Sequence, residues 1–343
     1  QVGGIYICPP FLYILLDMEN LMISTLATPV IKGASSLKVR TLYNEKMLES
    51  LEKLLLSISN AGIDVSVVQG YVSTLLPKDS IPSDVFALYH ALLSAVKSQN
   101  RQSVERCLMQ FRIPTLELAG PKLIFGSIGE CQRHEDVVPE LPNHEKKTPL
   151  LPVSREIVQS CSGDAQKALA ILKQYHPEMA AEILTLLSGL YFFDDVGTEE
   201  QMIGGSDVRV YGDIFLRRHK GEIDPLVYYC EHIVHETSHL YLHALMAMDP
   251  LVLNSPDEHY PAPIRSDLRP MYGVFHATFV FSRMCQVFKV LSDQLSDENV
   301  CDAHQCFVRQ FEHGLSTVNQ YAELTTLGQH LIMQYPEVLM KVR

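Results

Sequence analysis

One pentapeptide in the second half of the chain has the residue types and spacing of a metal site. His235-Glu236-Thr237-Ser238-His239 reads H-E-x-x-H, with its two histidines four residues apart. In an α-helix these histidines project from one face one turn apart, so both imidazoles can bind one divalent metal. Glu236 projects about 100° further round the helix, where it can lean towards the open side of the metal without being a ligand. Glu236 is therefore the candidate catalytic residue.

The residues on either side of the motif favour a helix. Asp224-Pro225 supplies an N-cap followed by proline at the first helical position, and Asp249-Pro250 supplies a stop. The apolar residues between them predict that this helix is buried, and a buried helix needs a reason to hold several histidines and a glutamate. We therefore expect a metal site; the alternative is a buried helix whose imidazoles are hydrogen-bonded.

The composition limits the class of protein. The chain has 343 residues, 47% of them hydrophobic, and a net charge of −12. Nucleic-acid binding needs a basic surface, so this charge argues against it, and it suits anionic membranes poorly. The apolar segment at residues 11–16 is too short to span a bilayer and lacks the basic flank of a signal peptide. Eight scattered cysteines with no C-x-x-C pair indicate a reducing compartment, and we expect a cytoplasmic protein.

The pattern of apolar residues predicts a mainly α-helical protein with a small β element, an α+β fold. Besides the H-E-x-x-H helix, the predicted helices span residues 13–31, 42–61, 84–97, 155–175, 177–190, 270–292, 301–319 and 323–333.

The predicted non-helical segments are a strand or two within 113–128, a proline-rich linker or long surface loop at 135–152, and an irregular segment at 250–269. Residues 207–218 are predicted to form a β-hairpin or a bulged edge strand, with Gly212 at a turn. A strand followed by an H-E-x-x-H helix is the order found in zincin-like domains. We expect a helical region of unknown role at 1–150 and a metal-binding domain at 151–343. The active cleft is expected between the β element and the 270–292 helix.

A catalytic metal usually takes three protein ligands, so a further donor is expected downstream of the motif. The candidates are His243, His259, Asp267 and His276. His243 follows one turn further along the same helix, which places it far from a metal held between the two motif histidines. His259 and Asp267 lie in the segment predicted to be irregular, where spacing says nothing about geometry. His276 lies in the next predicted helix among apolar residues.

Arg265, Arg269 and Arg283 lie close to His276 in the sequence. Guanidinium groups near a buried imidazole suggest a bound anion, because arginine binds carboxylates bidentately. The alternative is ordinary surface pairing with the acidic residues Asp257, Glu258 and Asp267.

Three segments together resemble the HEXXH-motif peptide-modification family of bacteria, whose members accompany the biosynthesis of ribosomally made, post-translationally modified peptides. These segments are the H-E-x-x-H helix, the R-x-D-x-R-P element at 265–270 and the G-x-x-H step at 273–276. The resemblance covers about residues 205 to 285. It implies an Fe(II)- and 2-oxoglutarate-dependent hydroxylase acting on a β-carbon of a precursor peptide that carries a leader. It also implies that His235, His239 and His276 bind the metal and that Arg265 or Arg269 holds the distal carboxylate of 2-oxoglutarate.

Two other functions fit the same residues. A zinc metallopeptidase would use Glu236 as the general base towards a metal-bound water. A catalytically inactive peptide-binding partner is the third reading, and the complete motif argues against it. Imidazole ligands suit zinc, iron, copper and nickel alike, so the histidines do not identify the metal.

Overall fold

The computed structural model of the chain describes residues 23–111, 123–128, 150–195, 203–221 and 223–343. Within these ranges the protein is mainly helical, with a five-stranded sheet and a two-stranded hairpin. The helices are α1 (Gly33–Asn60), α2 (Ser66–Val72), α3 (Ser83–Lys97), α4 (Arg101–Gln110), α5 (Arg155–Tyr175), α6 (Pro177–Leu186), α7 (Pro225–Met246), α8 (Met271–Leu295), α9 (Glu298–Tyr321), α10 (Thr326–Ile332) and α11 (Tyr335–Val342). The strands are β1 (Ile124–Ser127), β2 (Leu150–Pro152), β3 (Gly189–Asp195), β4 (Gly204–Ser206), β5 (Asp213–Arg217), β6 (His259–Ala262) and β7 (Arg265–Pro270). The expected α+β class is confirmed.

The chain divides into two compact units that are interleaved along the sequence. The first comprises residues 1–39, 163–183 and 219–343, and it contains the H-E-x-x-H helix. The second comprises residues 40–162 and 184–218, and it contains the five-stranded sheet. The expected division at residue 150 separates a region of unknown role from the metal-binding region, and it stays a prediction.

The second unit is built on a mixed sheet. Strands β1, β3 and β5 run parallel, while β2 and β4 add antiparallel edges. Phe193 and Phe215 are fully buried in its core. The hairpin predicted at 207–218 was right only in its second strand, β5, because residues 208–210 form a 3-10 turn. The antiparallel partner of β5 is β4, which lies before residue 207. Gly212, expected at the turn, has a φ of 98°, a conformation that glycine adopts without steric cost.

The first unit is organised round α8. This helix packs against α7, α9 and α11, and the β6–β7 hairpin lies against α8 and α9. Gly314 on α9 lets the helices approach closely, because a Cβ there would collide with the Thr278 side chain of α8 and lie 2.9 Å from Pro263 Cγ of the hairpin. Helix α7 begins as expected: the Asp224 side chain accepts hydrogen bonds from the backbone N–H groups of Leu226 and Val227.

A strand precedes the H-E-x-x-H helix in the chain, as expected: β5 ends at Arg217 and α7 begins at Pro225. The zincin-like relation of this strand to the helix, and the cleft expected beside it, stay predictions.

Two predicted helices extended too far at their C-terminal ends. The helix predicted at 177–190 ends at Leu186, and the aromatic run that follows is strand β3. A strand buried on both faces has no alternation of polar and apolar residues, so periodicity cannot tell it from a buried helix. The helix predicted at 13–31 is helical at 23–26 and has ended before Pro29, because proline disfavours helical backbone in the residue before it; residues 13–22 lie outside the described ranges.

Other helices and strands also differ from the prediction in extent or in kind. Helix α1 begins at Gly33 rather than at residue 42. The segment predicted to be irregular contains the β6–β7 hairpin, and α11 was not foreseen. Residues 113–122 and 135–149, assigned to strands and a linker, lie outside the described part of the chain, while 150–152 form strand β2.

Candidate metal centre

Histidines from two helices meet in the first unit. His235 and His239 lie one turn apart on α7, and their Nε2 atoms are 3.1 Å apart. His276 lies in the second turn of α8, and its Nδ1 is 3.4 Å from Nδ1 of His239. The sequence prediction that His276 approaches the motif histidines is thus matched by its position. His239 lies between the other two rings, with one nitrogen facing each.

A further histidine joins this cluster. Within the part of the chain that the structure describes, His239, His243 and His276 form a group whose ligand atoms all lie within 4.8 Å of one another. The ring centroids of His243 and His276 are 5.0 Å apart. The sequence argument placed His243 too far from the metal because it assumed a metal between His235 and His239. The position of His276 moves the meeting point of the rings one turn along α7.

The outer nitrogen of the His276 ring has its own partner. Nε2 lies 2.9 Å from Sδ of Met246, at the end of α7. A thioether has no proton to give, so this contact is a hydrogen bond in the tautomer that carries its proton on Nε2, and in that tautomer Nδ1 keeps its lone pair. The Tyr272 ring lies one turn before His276 on α8, with its centroid 4.2 Å from the imidazole. His276 is therefore contacted from two sides, and its Nδ1 faces His239.

The spacing of the nitrogens suits a metal. Two imidazole nitrogens bound to one tetrahedral metal at about 2.1 Å are about 3.4 Å apart. The Nδ1 atoms of His239 and His276 have that separation. The same separations also suit hydrogen bonds between neutral imidazoles, which is the alternative that the sequence allows. An all-imidazole donor set suits zinc, iron, copper or nickel.

Burial keeps these imidazoles in the form that binds metals. It lowers the pKa of His235 to about 4. Burial also lowers the pKa of His239 well below its ordinary value, and the neighbouring histidines lower it further. The pKa of His276 is lowered by burial and by His243. All three rings are therefore neutral near pH 7, as metal binding requires.

The other motif residues face the interior. Thr237 and Ser238 are fully buried, and their hydroxyls donate to the carbonyls of Ile233 and Val234, each at 2.7 Å. Glu236 is buried as well, with 5% of its surface exposed. A carboxylate at such a position is costly unless it is partnered or functional.

Arg283, one of the three arginines predicted to bind a cosubstrate, lies in a buried ion pair. It donates through Nη2 to Oε1 of Glu182, and neither side chain is exposed. Its Nε donates to the Ser238 hydroxyl at 3.2 Å, and its guanidinium lies over the rings of Tyr241 and Phe279. These contacts tie α8 to α6 and to the back of α7. We therefore assign Arg283 a structural role and do not propose it as a ligand of the cosubstrate.

Arg269 is placed differently. It lies on β7, three residues before Tyr272, and its Nη2 pairs with the exposed Asp267 at 2.9 Å. A Cβ built on Gly273 would lie 3.9 Å from Cβ of Arg269. Gly273 and His276 are three residues apart on one helix and share a face, so the Arg269 side chain starts on the His276 side of α8. Arg265 begins the same strand.

The remaining ligand candidates lie apart from this cluster. His259 is exposed, and its Nδ1 contacts the Asp257 carbonyl at 2.9 Å. Asp267 is also exposed and pairs with Arg269. Sequence reasoning set aside His243 and did not single out Met246 or Glu182. His243 and Met246 could have been found from their spacing after His239, because the three residues lie along one helical face. Glu182 is distant in the chain, and no pattern in the sequence pointed to it.

A scan against protein-family models finds no match for the chain, and a search of curated proteins finds none either. Among the described residues, no helix has both the length and the apolarity needed to cross a membrane.

Proposed function

We propose that this chain is a metalloenzyme that hydroxylates a β-carbon in a peptide, using Fe(II), O₂ and 2-oxoglutarate. The observation that carries the proposal is the approach of His239 on α7 to His276 on α8, with their Nδ1 atoms 3.4 Å apart. Bound at these imidazoles, iron and the keto acid would supply the oxidising chemistry that no side chain offers. Following the family resemblance, the substrate is a ribosomally made precursor peptide with a leader, met in the cytoplasm.

His239 and His276 belong to both candidate ligand sets, and the sets differ in whether His235 or His243 is the third ligand. Either set leaves positions on the metal open, as binding of a cosubstrate requires. In this proposal Glu236 is not a ligand. Its burial beside the ligand-bearing face suits a residue that orients a ligand or a water molecule.

Arg269 is the residue that we propose for the distal carboxylate of 2-oxoglutarate. Its side chain starts beside the first turn of α8, on the same face as His276. A guanidinium offers two parallel N–H donors to a carboxylate, and Asp267, its present partner, is exposed enough to move aside. Arg265 remains the alternative that the resemblance allows.

A zinc metallopeptidase is the second candidate, because the complete H-E-x-x-H motif keeps Glu236 next to His235 on a buried helix. In that reaction Glu236 takes the proton of the attacking water. Activity would then be independent of oxygen, restored by zinc and lost in Glu236→Gln, and the peptide would be cleaved.

The test begins with metal-free protein loaded anaerobically with Fe(II). Addition of O₂ and 2-oxoglutarate should consume oxygen and form succinate and CO₂. One oxygen atom enters succinate and the other enters the peptide, so a peptide pool should gain about sixteen mass units. His276→Ala should abolish succinate formation, while His232→Ala, on the same helix as the motif, should retain it. Cleavage of the pool by the zinc-loaded protein, with no succinate from the iron-loaded one, would favour the peptidase instead.

A further inference from the structure

The two ring nitrogens of His239 face different neighbours. Nε2 faces His235 at 3.1 Å, and Nδ1 faces His276 at 3.4 Å. The two nitrogens of one imidazole point away from each other, so a single metal can use one of them. The contacts seen in the structure therefore do not let His235, His239 and His276 share one metal through their nearest nitrogens.

We propose that the metal is bound by His239, His243 and His276, with Nδ1 as the ligand atom of His239 and His276, and that His235 is a positioning residue. This inference rests on the metal centre of the proposed function and concerns the residues that build it. The three rings form the group whose ligand atoms lie within 4.8 Å of one another.

The outer nitrogens of the two Nδ1 ligands support this assignment. A metal-bound histidine almost always donates its other N–H to a partner, which fixes the tautomer and the ring orientation. The Nε2 of His276 has Met246 Sδ at 2.9 Å, and the Nε2 of His239 has His235 Nε2 at 3.1 Å. In both rings, Nδ1 faces the proposed metal and Nε2 faces a hydrogen-bond partner. A metal held between His235 and His239 would instead leave the His276 Nδ1 contact without a role.

The stripe of donors on α7 agrees with this position. His235, His239, His243 and Met246 follow one another at spacings of four, four and three residues, so they line one face. His276 contacts His239, His243 and Met246, the later part of that stripe. The metal is therefore expected one turn further along α7 than the H-E-x-x-H motif suggests.

Binding of Co(II) to variants tests the ligand set without turnover. His243→Ala should lose stoichiometric binding and the ligand-field spectrum of the wild type, because a ligand is gone. His235→Ala should keep one Co(II) and that spectrum, with affinity lowered about 10–100-fold, the usual effect of an outer partner. His235→Gln, which can still hydrogen-bond to His239, should recover part of the loss. His232→Ala is the matched control on the same helix and should bind as the wild type does.

Loss of Co(II) in His235→Ala, whether or not His243→Ala also loses it, would overturn the proposal, because His235 would then be a ligand. If a variant fails to fold, a measurement on the wild type tests the same ligand assignment. In the zinc-loaded protein labelled with ¹⁵N-histidine, long-range ¹H–¹⁵N spectra distinguish rings bound through Nδ1 from rings bound through Nε2. We expect at least two Nδ1-bound rings. Exclusive Nε2 binding would contradict the assignment, whereas absence of oxidation in the iron-loaded enzyme would bear on the proposed reaction alone.

Discussion

Replacing Glu182 with leucine should strongly destabilise the unit that carries the histidines. Neither Glu182 nor Arg283 is exposed, and their ion pair ties α6 to α8. Removing one member of a buried pair typically costs about 3–5 kcal/mol, because the remaining charge stays buried without its partner. Arg283 cannot escape by losing its proton, since a guanidinium remains charged in proteins. We therefore expect Glu182→Leu to lie towards the upper end of this range.

Replacing the other member of the pair, with Arg283→Met, should cost less stability than Glu182→Leu. Burial raises the pKa of Glu182, while Arg283 opposes that rise. In Arg283→Met the carboxyl loses its counter-charge and can take up a proton. A raised folded-state pKa gives stability below the unfolded value that is lost as the pH rises through the folded one. The cost of Arg283→Met should therefore be small near pH 4.5, the ordinary value for glutamate, and should grow towards neutral pH.

Urea unfolding of the single variants and of Glu182→Leu/Arg283→Met forms the double-mutant cycle. The double variant should be more stable than Glu182→Leu alone, because replacing both members of a buried pair leaves no uncompensated charge. The exposed pair Arg343–Glu312 is the control, and breaking it should cost at most about 1 kcal/mol. Additive costs in the cycle, or a Glu182→Leu variant as stable as the control, would refute the reasoning.

Four other changes have defined outcomes. Arg269→Met should raise the apparent KM for 2-oxoglutarate roughly 10²-fold or more, and Arg269→Lys should rescue it poorly because lysine lacks the bidentate fork. The control is Arg309→Met, on an exposed part of α9, which should leave this KM unchanged. Gly314→Ala should lower stability by about 1–3 kcal/mol in thermal unfolding, since its Cβ meets Thr278. Burial raises the pKa of Glu231 to about 7, so Glu231→Gln should gain stability over the wild type at about pH 8 and little at about pH 5. Because burial lowers the pKa of His235 to about 4, the metal-free protein should lose stability as the pH falls from the ordinary 6.5 towards that value, and a flat urea-unfolding profile over this interval would contradict the burial argument.

Local signals in the sequence predicted the elements that carry the site. The Asp224-Pro225 start of α7 and the extent of α8 follow from capping chemistry and apolar periodicity, which act within a few residues. The family resemblance implied that His276 binds the same metal as His239, and the structure places their Nδ1 atoms 3.4 Å apart; their role as ligands stays a prediction.

What the sequence could not predict depends on how the helices pack. The depth at which His276 meets α7 decides whether His235 or His243 is its neighbour, and a slide of one helical turn, about 5.4 Å, exchanges the two. Arg283 seemed available to an anion because Glu182, its partner, is 101 residues away in the chain. The β6–β7 hairpin was missed because its strands are short and carry prolines.

The central claim, that histidines of α7 and α8 form a metal centre, is tested most directly by the metal content of the protein. We expect about one equivalent of divalent metal in protein purified anaerobically or loaded with Fe(II) or zinc, and loss of that equivalent in both His239→Ala and His276→Ala. A wild-type protein that stays metal-free after loading would contradict the account, and the four imidazoles would then be a hydrogen-bonded chain within a buried helix pair.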